Sequence, residues 1–223
     1  MKKELALVFC ALLLANTPAP TLLKNQIAAV RGDIVVHDAR GKSFALTSGG
    51  GFIEPTLSTD GKQAAFIKVA VAGEPGMGTS RTSLWIADIA TRTSRQLLAS
   101  TPADAMTENL SAMSKPQFSP DGSFVYVMAE AWQTSNAIHQ VNVKTGQHRF
   151  FTDGDLMFIL TSGRFRGSLL VMKHVYVTHP EPGAYNAVFV YPADTRRSFM
   201  IPGSDKDEGD KSLPAWLRKF AAH

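Results

Sequence analysis

One turn motif occurs twice in this chain and limits its fold more than any other feature. Pro55-Thr56-Leu57-Ser58-Thr59-Asp60-Gly61-Lys62 recurs as Pro116-Gln117-Phe118-Ser119-Pro120-Asp121-Gly122-Ser123, with Pro, Ser, Asp and Gly in register. An apolar run follows each copy, Ala64 to Val69 and Phe124 to Met128, so the Asp-Gly pair predicts a hairpin turn between two short strands. Ser and Asp side chains can bond nearby main-chain amides, and Gly supplies the positive φ that closes a tight turn. Asp60 and Asp121 are therefore expected to shape turns rather than act as catalytic carboxylates or metal ligands.

A second hairpin follows each copy. Leu84 to Leu98 aligns with Ile138 to Thr152, with Thr91 and Thr145 at the shared turn position. Val188 to Ile201 aligns with Thr195 at that position, and Asp33 to Thr47 places Gly41 where Gly146 lies in the better copy. Each reads as strand, polar turn, strand. The third unit lacks the Ser-x-Asp-Gly turn, because Phe165-Arg166-Gly167-Ser168 precedes its strand, Leu169 to Val177. A period of about 45 to 60 residues persists, the scale of one four-stranded propeller blade.

These two Ser-x-Asp-Gly copies, each followed by a strand, a Thr-centred turn and a strand, resemble the repeat of TolB-type beta-propellers over residues 33–201. The resemblance implies an all-β fold, a small or partial propeller of four-stranded antiparallel blades. Such propellers generally carry six or more blades, whereas this chain offers three full units and an N-terminal partial one. A four-bladed ring, an open arc, and two chains completing one ring as a homodimer all fit that count. TolB itself adds an N-terminal domain with no counterpart in this sequence, so its translocation role is not carried over.

The ends read differently. Lys2 and Lys3, an apolar run from Leu5 to Ala15, and Asn16-Thr17-Pro18-Ala19-Pro20 follow the order of a signal peptide. Residues 1–19 are read as that signal, with an unfixed cleavage point. The apolar run is shorter than the roughly 20 residues of a spanning helix, so no stable membrane span is expected after cleavage. Periplasmic location is the first expectation and secretion the second. Cys10 is the single cysteine and leaves with the signal. Residues 20–203 form the propeller-like domain; Ser204 to Lys211 reads as a solvated charged linker, and Leu213 to Ala222 as a short amphipathic helix docking on its own domain. Thr101 and Pro102 open a stretch to Met113 expected to form one short helix between two blades.

Chemical signatures are scarce. With 23 Lys+Arg against 19 Asp+Glu, the +4 net charge is spread without a basic stripe, which argues against nucleic acid as a partner. The sequence has no nucleophile elbow, phosphate loop, His-Glu-x-x-His pair or dinucleotide turn. No catalytic residue, metal ligand or cofactor is assigned; His174 and His179 bracket a strand end without a third ligand.

The repeat register instead locates a binding face. Loops joining the second and third strands of every blade emerge on one side: Ala72 to Ser83, Glu130 to Asn136 and Thr178 to Asn186. Trp132 and Tyr185 are the aromatic anchors there, with Arg81, Glu130, His179 and Glu181 as polar neighbours. The expected function is a non-enzymatic exported module that binds a protein or an envelope component through this face, an inhibitor or immunity-type protein being one version. The alternative is a hydrolase, or the accessory propeller of an envelope enzyme, with its site on the same face.

Overall fold

The computed structural model describes residues 25–38, 40–71, 80–178, 181–193 and 197–220. The expected signal segment, with Cys10, lies outside the described residues, as do His179 and the turn residue Thr195.

Four antiparallel sheets follow one another along the chain. The first has three strands, β1 (Gln26–Val30), β2 (Asp33–His37) and β3 (Ser43–Ala45). The second has four, β4 (Phe52–Leu57), β5 (Gln63–Val71), β6 (Arg81–Asp88) and β7 (Thr93–Ala99). The third runs through β8 (Ser114–Phe118), β9 (Phe124–Trp132), β10 (Ser135–Asn142) and β11 (His148–Asp153). The fourth runs through β12 (Asp155–Ile159), β13 (Leu169–Val177), β14 (Gly183–Tyr191) and β15 (Phe199–Met200). Strands pair in chain order, and the first strands touch in succession, β1 with β4, β4 with β8 and β8 with β12. This is the blade arrangement of a propeller, with the first strand of each blade innermost.

The apolar runs are continuous rather than alternating because the second strands are buried on both sides. Ala64 and Phe66 face the first blade beside Ile34, Val36 and Phe52, whereas Ala65 and Ile67 face the third blade beside Val125, Val127 and Val141. One blade further on, Tyr126 and Met128 pack against Leu156, Leu169 and Val171 of the fourth. Polar side chains stitch the inner strands: the Gln117 side-chain amide donates to the Met157 carbonyl (3.3 Å) and its oxygen accepts the Ile159 N–H (3.1 Å).

The expected helix after Thr101 does not form. Residues 101–113 fold as turns, with Leu110 and Met113 both inserted between the second and third blades. The Met113 N–H donates to the Thr82 hydroxyl at 2.6 Å. Burying both side chains in that layer outweighs the local helix-start signal of Thr101-Pro102.

The C-terminal segment closes one end of the arc. Instead of a solvated stretch throughout 204–211, residues Ser204–Asp207 form a helical turn, α1. Ser204 is buried; its hydroxyl donates to the Ile201 carbonyl (2.8 Å) and accepts the Val188 N–H (3.1 Å). The Asp207 carboxylate accepts the Ser212 N–H and hydroxyl (2.9 and 2.8 Å) at the start of α2 (Ser212–Phe220). Leu213 and Trp216 of α2 cover Leu160, Leu170, Val188, Val190 and Ile201, the face of the fourth blade turned away from the third. The fourth blade therefore presents a helix on the face where a next blade would pack. No helix among the described residues is long and apolar enough to cross a membrane.

Candidate binding face

Antiparallel order puts two kinds of connection on opposite faces. Turns between first and second strands, and between third and fourth, share one face; hairpin tips between second and third strands share the other with the crossovers between blades. The repeated motif lies on the first face. The Ser58 hydroxyl donates to Asp60 (2.7 Å) and accepts the Gln63 N–H (2.9 Å), and Ser119 does the same with Asp121 (2.6 Å) and Phe124 (3.0 Å). Gly61 and Gly122 hold φ of 68° and 71°. The serine hydroxyls, and then the Lys62 amide and the Ser123 hydroxyl respectively, hold Asp60 and Asp121 below the ordinary carboxylate range. These are turn-forming aspartates. The next hairpin uses the same device, as Asp88 accepts the Thr91 N–H (2.8 Å) and Asn142 the Thr145 N–H (3.0 Å).

The opposite face holds two adjoining hollows around the β9–β10 hairpin. One, of about 540 Å³, is lined by residues including Met106, Asn109, Glu130, Trp132, Asn136 and Asp155. The other, of about 600 Å³, lies between the third and fourth blades, lined by Thr107, Trp132 to Ser135, Phe150, Asp153, His174 and Tyr176. Trp132 borders both and is 41% exposed. Its ring meets Phe150 edge-on at 6.4 Å.

Local bonds hold these walls. The Tyr176 hydroxyl lies 3.1 Å from Thr134 Oγ1, bridging the hairpins of the two blades, and its ring stands edge-on to His174 at 4.7 Å. His174 Nδ1 pairs with Asn186 Oδ1 at 2.8 Å. Lys173 Nζ meets Asp153 Oδ1 at 2.7 Å and the Tyr191 hydroxyl at 3.2 Å. Burial alone would lower the Lys173 pKa, but these partners outweigh it and hold the ammonium above its ordinary value. In the smaller hollow, Asn136 donates to Asp155 and the Asn109 amide to the Glu130 carbonyl.

The structure brings two of the residues singled out from sequence together, Glu130 and Trp132, in the smaller hollow. Arg81 begins β6 and is exposed, Glu181 is exposed near the next hairpin tip, and Tyr185 is half-buried in β14 opposite Val175; none of the three lines either hollow. The sequence reading did not single out Phe150, Asp153 or Tyr176, nor His174 in this role. Tyr176 carried one usable signal, an aromatic at the end of a strand running directly into a hairpin loop. Among the described residues no group of three or more His, Cys, Asp or Glu is placed to hold a metal ion.

No family model matches the sequence, and no curated protein matches it. Solved structures do match. TolB from Acinetobacter baumannii superposes with a TM-score of 0.50 at 15% identity, covering 76% of this chain and 37% of that one. The tricorn protease superposes with a TM-score of 0.51 at 13% identity, covering 77% and 20% respectively. This chain thus spans well under half of either structure, and the likeness is one of fold: beta-propeller blades, in a partial set.

Proposed function

We propose that this chain, built of TolB-type propeller blades, is an exported non-enzymatic binding module that engages a protein or an envelope component through its second-to-third-strand hairpin face. An inhibitor or immunity-type protein is one version of such a module. The observation that carries the reading is Trp132, a large aromatic left substantially exposed at the meeting point of two hollows on that face. Exposed aromatics on a rigid scaffold, ringed by polar groups, are the usual anchors of recognition. Export rests on the charged and apolar order of the first 19 residues.

The test is a photoreactive side chain replacing Trp132, compared with the same group replacing Lys144 in a turn on the opposite face. Exposed to native envelope material, the first variant is expected to form discrete adducts and the second none. Equal labelling from both faces, or none from position 132, would overturn the reading.

A further inference from the structure

The hollow between the third and fourth blades has the chemistry of a site for one class of ligand. We propose that it binds a neutral oligosaccharide; the inference rests on the binding-module reading and specifies its ligand.

Three properties of the hollow carry it. The first is the pair of exposed aromatics, Trp132 at 41% and Tyr176 at 67% exposure, which supply flat apolar surface to the carbon-hydrogen face of a pyranose ring. The second is that these rings are held before any ligand arrives. Tyr176 is fixed at its hydroxyl by Thr134 and along its edge by His174, and Trp132 is braced by Phe150. An exposed side chain held in this way loses little entropy on binding.

The third property is the polar lining. Thr107, Gln133, Thr134 and Ser135 offer uncharged donors and acceptors suited to sugar hydroxyls. The one carboxylate among the described lining residues, Asp153, is paired with Lys173. Among the described lining residues there is no lysine or arginine, so no permanent cation there favours a phosphate or a carboxylate ligand. The volume, about 600 Å³, lies in the range of small-molecule sites.

Isothermal titration of the folded protein with cellotetraose, maltotetraose and chitotetraose, beside a neutral tetrapeptide, tests the proposal. At least one tetrasaccharide is expected to saturate below about 10 mM, as shallow, exposed sites bind weakly. Trp132→Ala is expected to weaken it about tenfold or more, while Lys144→Ala on the opposite face leaves it unchanged. Tyr176→Phe frees the ring from Thr134 without removing it, and is expected to weaken binding less than Trp132→Ala does. No saturation by any of the three sugars, saturation unaffected by Trp132→Ala, or saturation by the tetrapeptide alone would each overturn the proposal. If the sugars fail while a photoreactive group at position 132 still captures envelope material, the binding module stands and only its ligand is wrong. If both fail, both readings fall.

Discussion

The main-chain N–H of Lys115 donates to the carboxylate of Glu54, across the two innermost strands β4 and β8. Both residues hold a left-handed backbone, φ 51° at Glu54 and 49° at Lys115, and each stands immediately before the proline that opens its repeat. The pairing of each strand with its neighbour shifts register at this point, between Ile53 and Thr56 in β4 and between Ser114 and Gln117 in β8. The repeat therefore extends one residue further back than side-chain identity shows, into a shared backbone bulge. A non-glycine residue pays roughly 1–2 kcal/mol for such a conformation. Two in equivalent places indicate that blade packing imposes it.

That geometry makes Lys115 a sharp test. Lys115→Val should destabilise the fold by about 1–2 kcal/mol, since a β-branched residue tolerates positive φ least. Lys115→Gly should be neutral or slightly stabilising, as relief of strain offsets the greater freedom of the unfolded chain. Urea unfolding of both variants reads the difference, and a valine variant as stable as the glycine one would show that the conformation costs nothing.

His139 gives the fold an acid sensitivity. It is fully buried in β10, and neither ring nitrogen has a hydrogen-bond partner among the described residues. Burial first, and then the neighbouring His148, push its pKa down to about 4, while the Asn109 main chain pulls the other way. With the folded value below the unfolded one, the unfolded chain takes up the proton more readily. Stability from this group is complete above pH 6.5 and is lost as the pH falls toward 4. The loss is on the order of 3 kcal/mol across that window. His139→Leu should match the parent at pH 7, because it removes two unsatisfied polar atoms at similar volume, and should show a flatter decline toward pH 4. Parallel pH profiles for the two proteins would refute this account.

The parts of the fold legible in the sequence are those whose chemistry is local. Ser58 and Ser119 each bond an aspartate two residues on, so a short string suffices to announce the turn. The paired hairpins at Leu84 to Leu98 and Ile138 to Thr152 became β6–β7 and β10–β11, because alternation and turn chemistry agree there. The segment after Thr101 misled because its start resembles a helix while Leu110 and Met113 answer to two neighbouring blades. In the candidate site, Trp132 could be found from its hairpin. Phe150, Asp153 and Tyr176 come from β11 and β13, and only the strand register and the seam between two blades bring them to the same hollow.

The turn serines should be worth more than their size suggests. Ser119→Ala removes a donor to the Asp121 carboxylate and an acceptor for the Phe124 N–H. A bond to a charged group contributes about 1.5–3 kcal/mol, and a main-chain donor left unpartnered adds its own cost, so a loss of about 2 kcal/mol is expected. The Asp121 carboxyl, freed of its strongest partner, should titrate closer to the ordinary value. Thermal unfolding and carboxyl NMR titration read the two effects, and a stability change under half that size with an unmoved titration would contradict the turn's assigned role.

Trp216 should decide whether the C-terminal helix is a structural cap. Its ring lies 5.2 Å from both Phe165 and Phe220, over the apolar side of the last blade. Without it, Val188, Val190 and Ile201 lose their cover on the face of the fourth blade turned away from the third. Trp216→Ala should cost about 3–5 kcal/mol, the range for deleting a buried large aromatic. Trp216→Phe should recover much of that, as it keeps a ring in the cluster with Phe165 and Phe220. If the helix were instead loosely attached and reserved for a partner, Trp216→Ala would leave unfolding unchanged and only raise binding of an apolar dye. The urea midpoint of the alanine variant separates the two, because a cap shifts it strongly and a detachable helix does not.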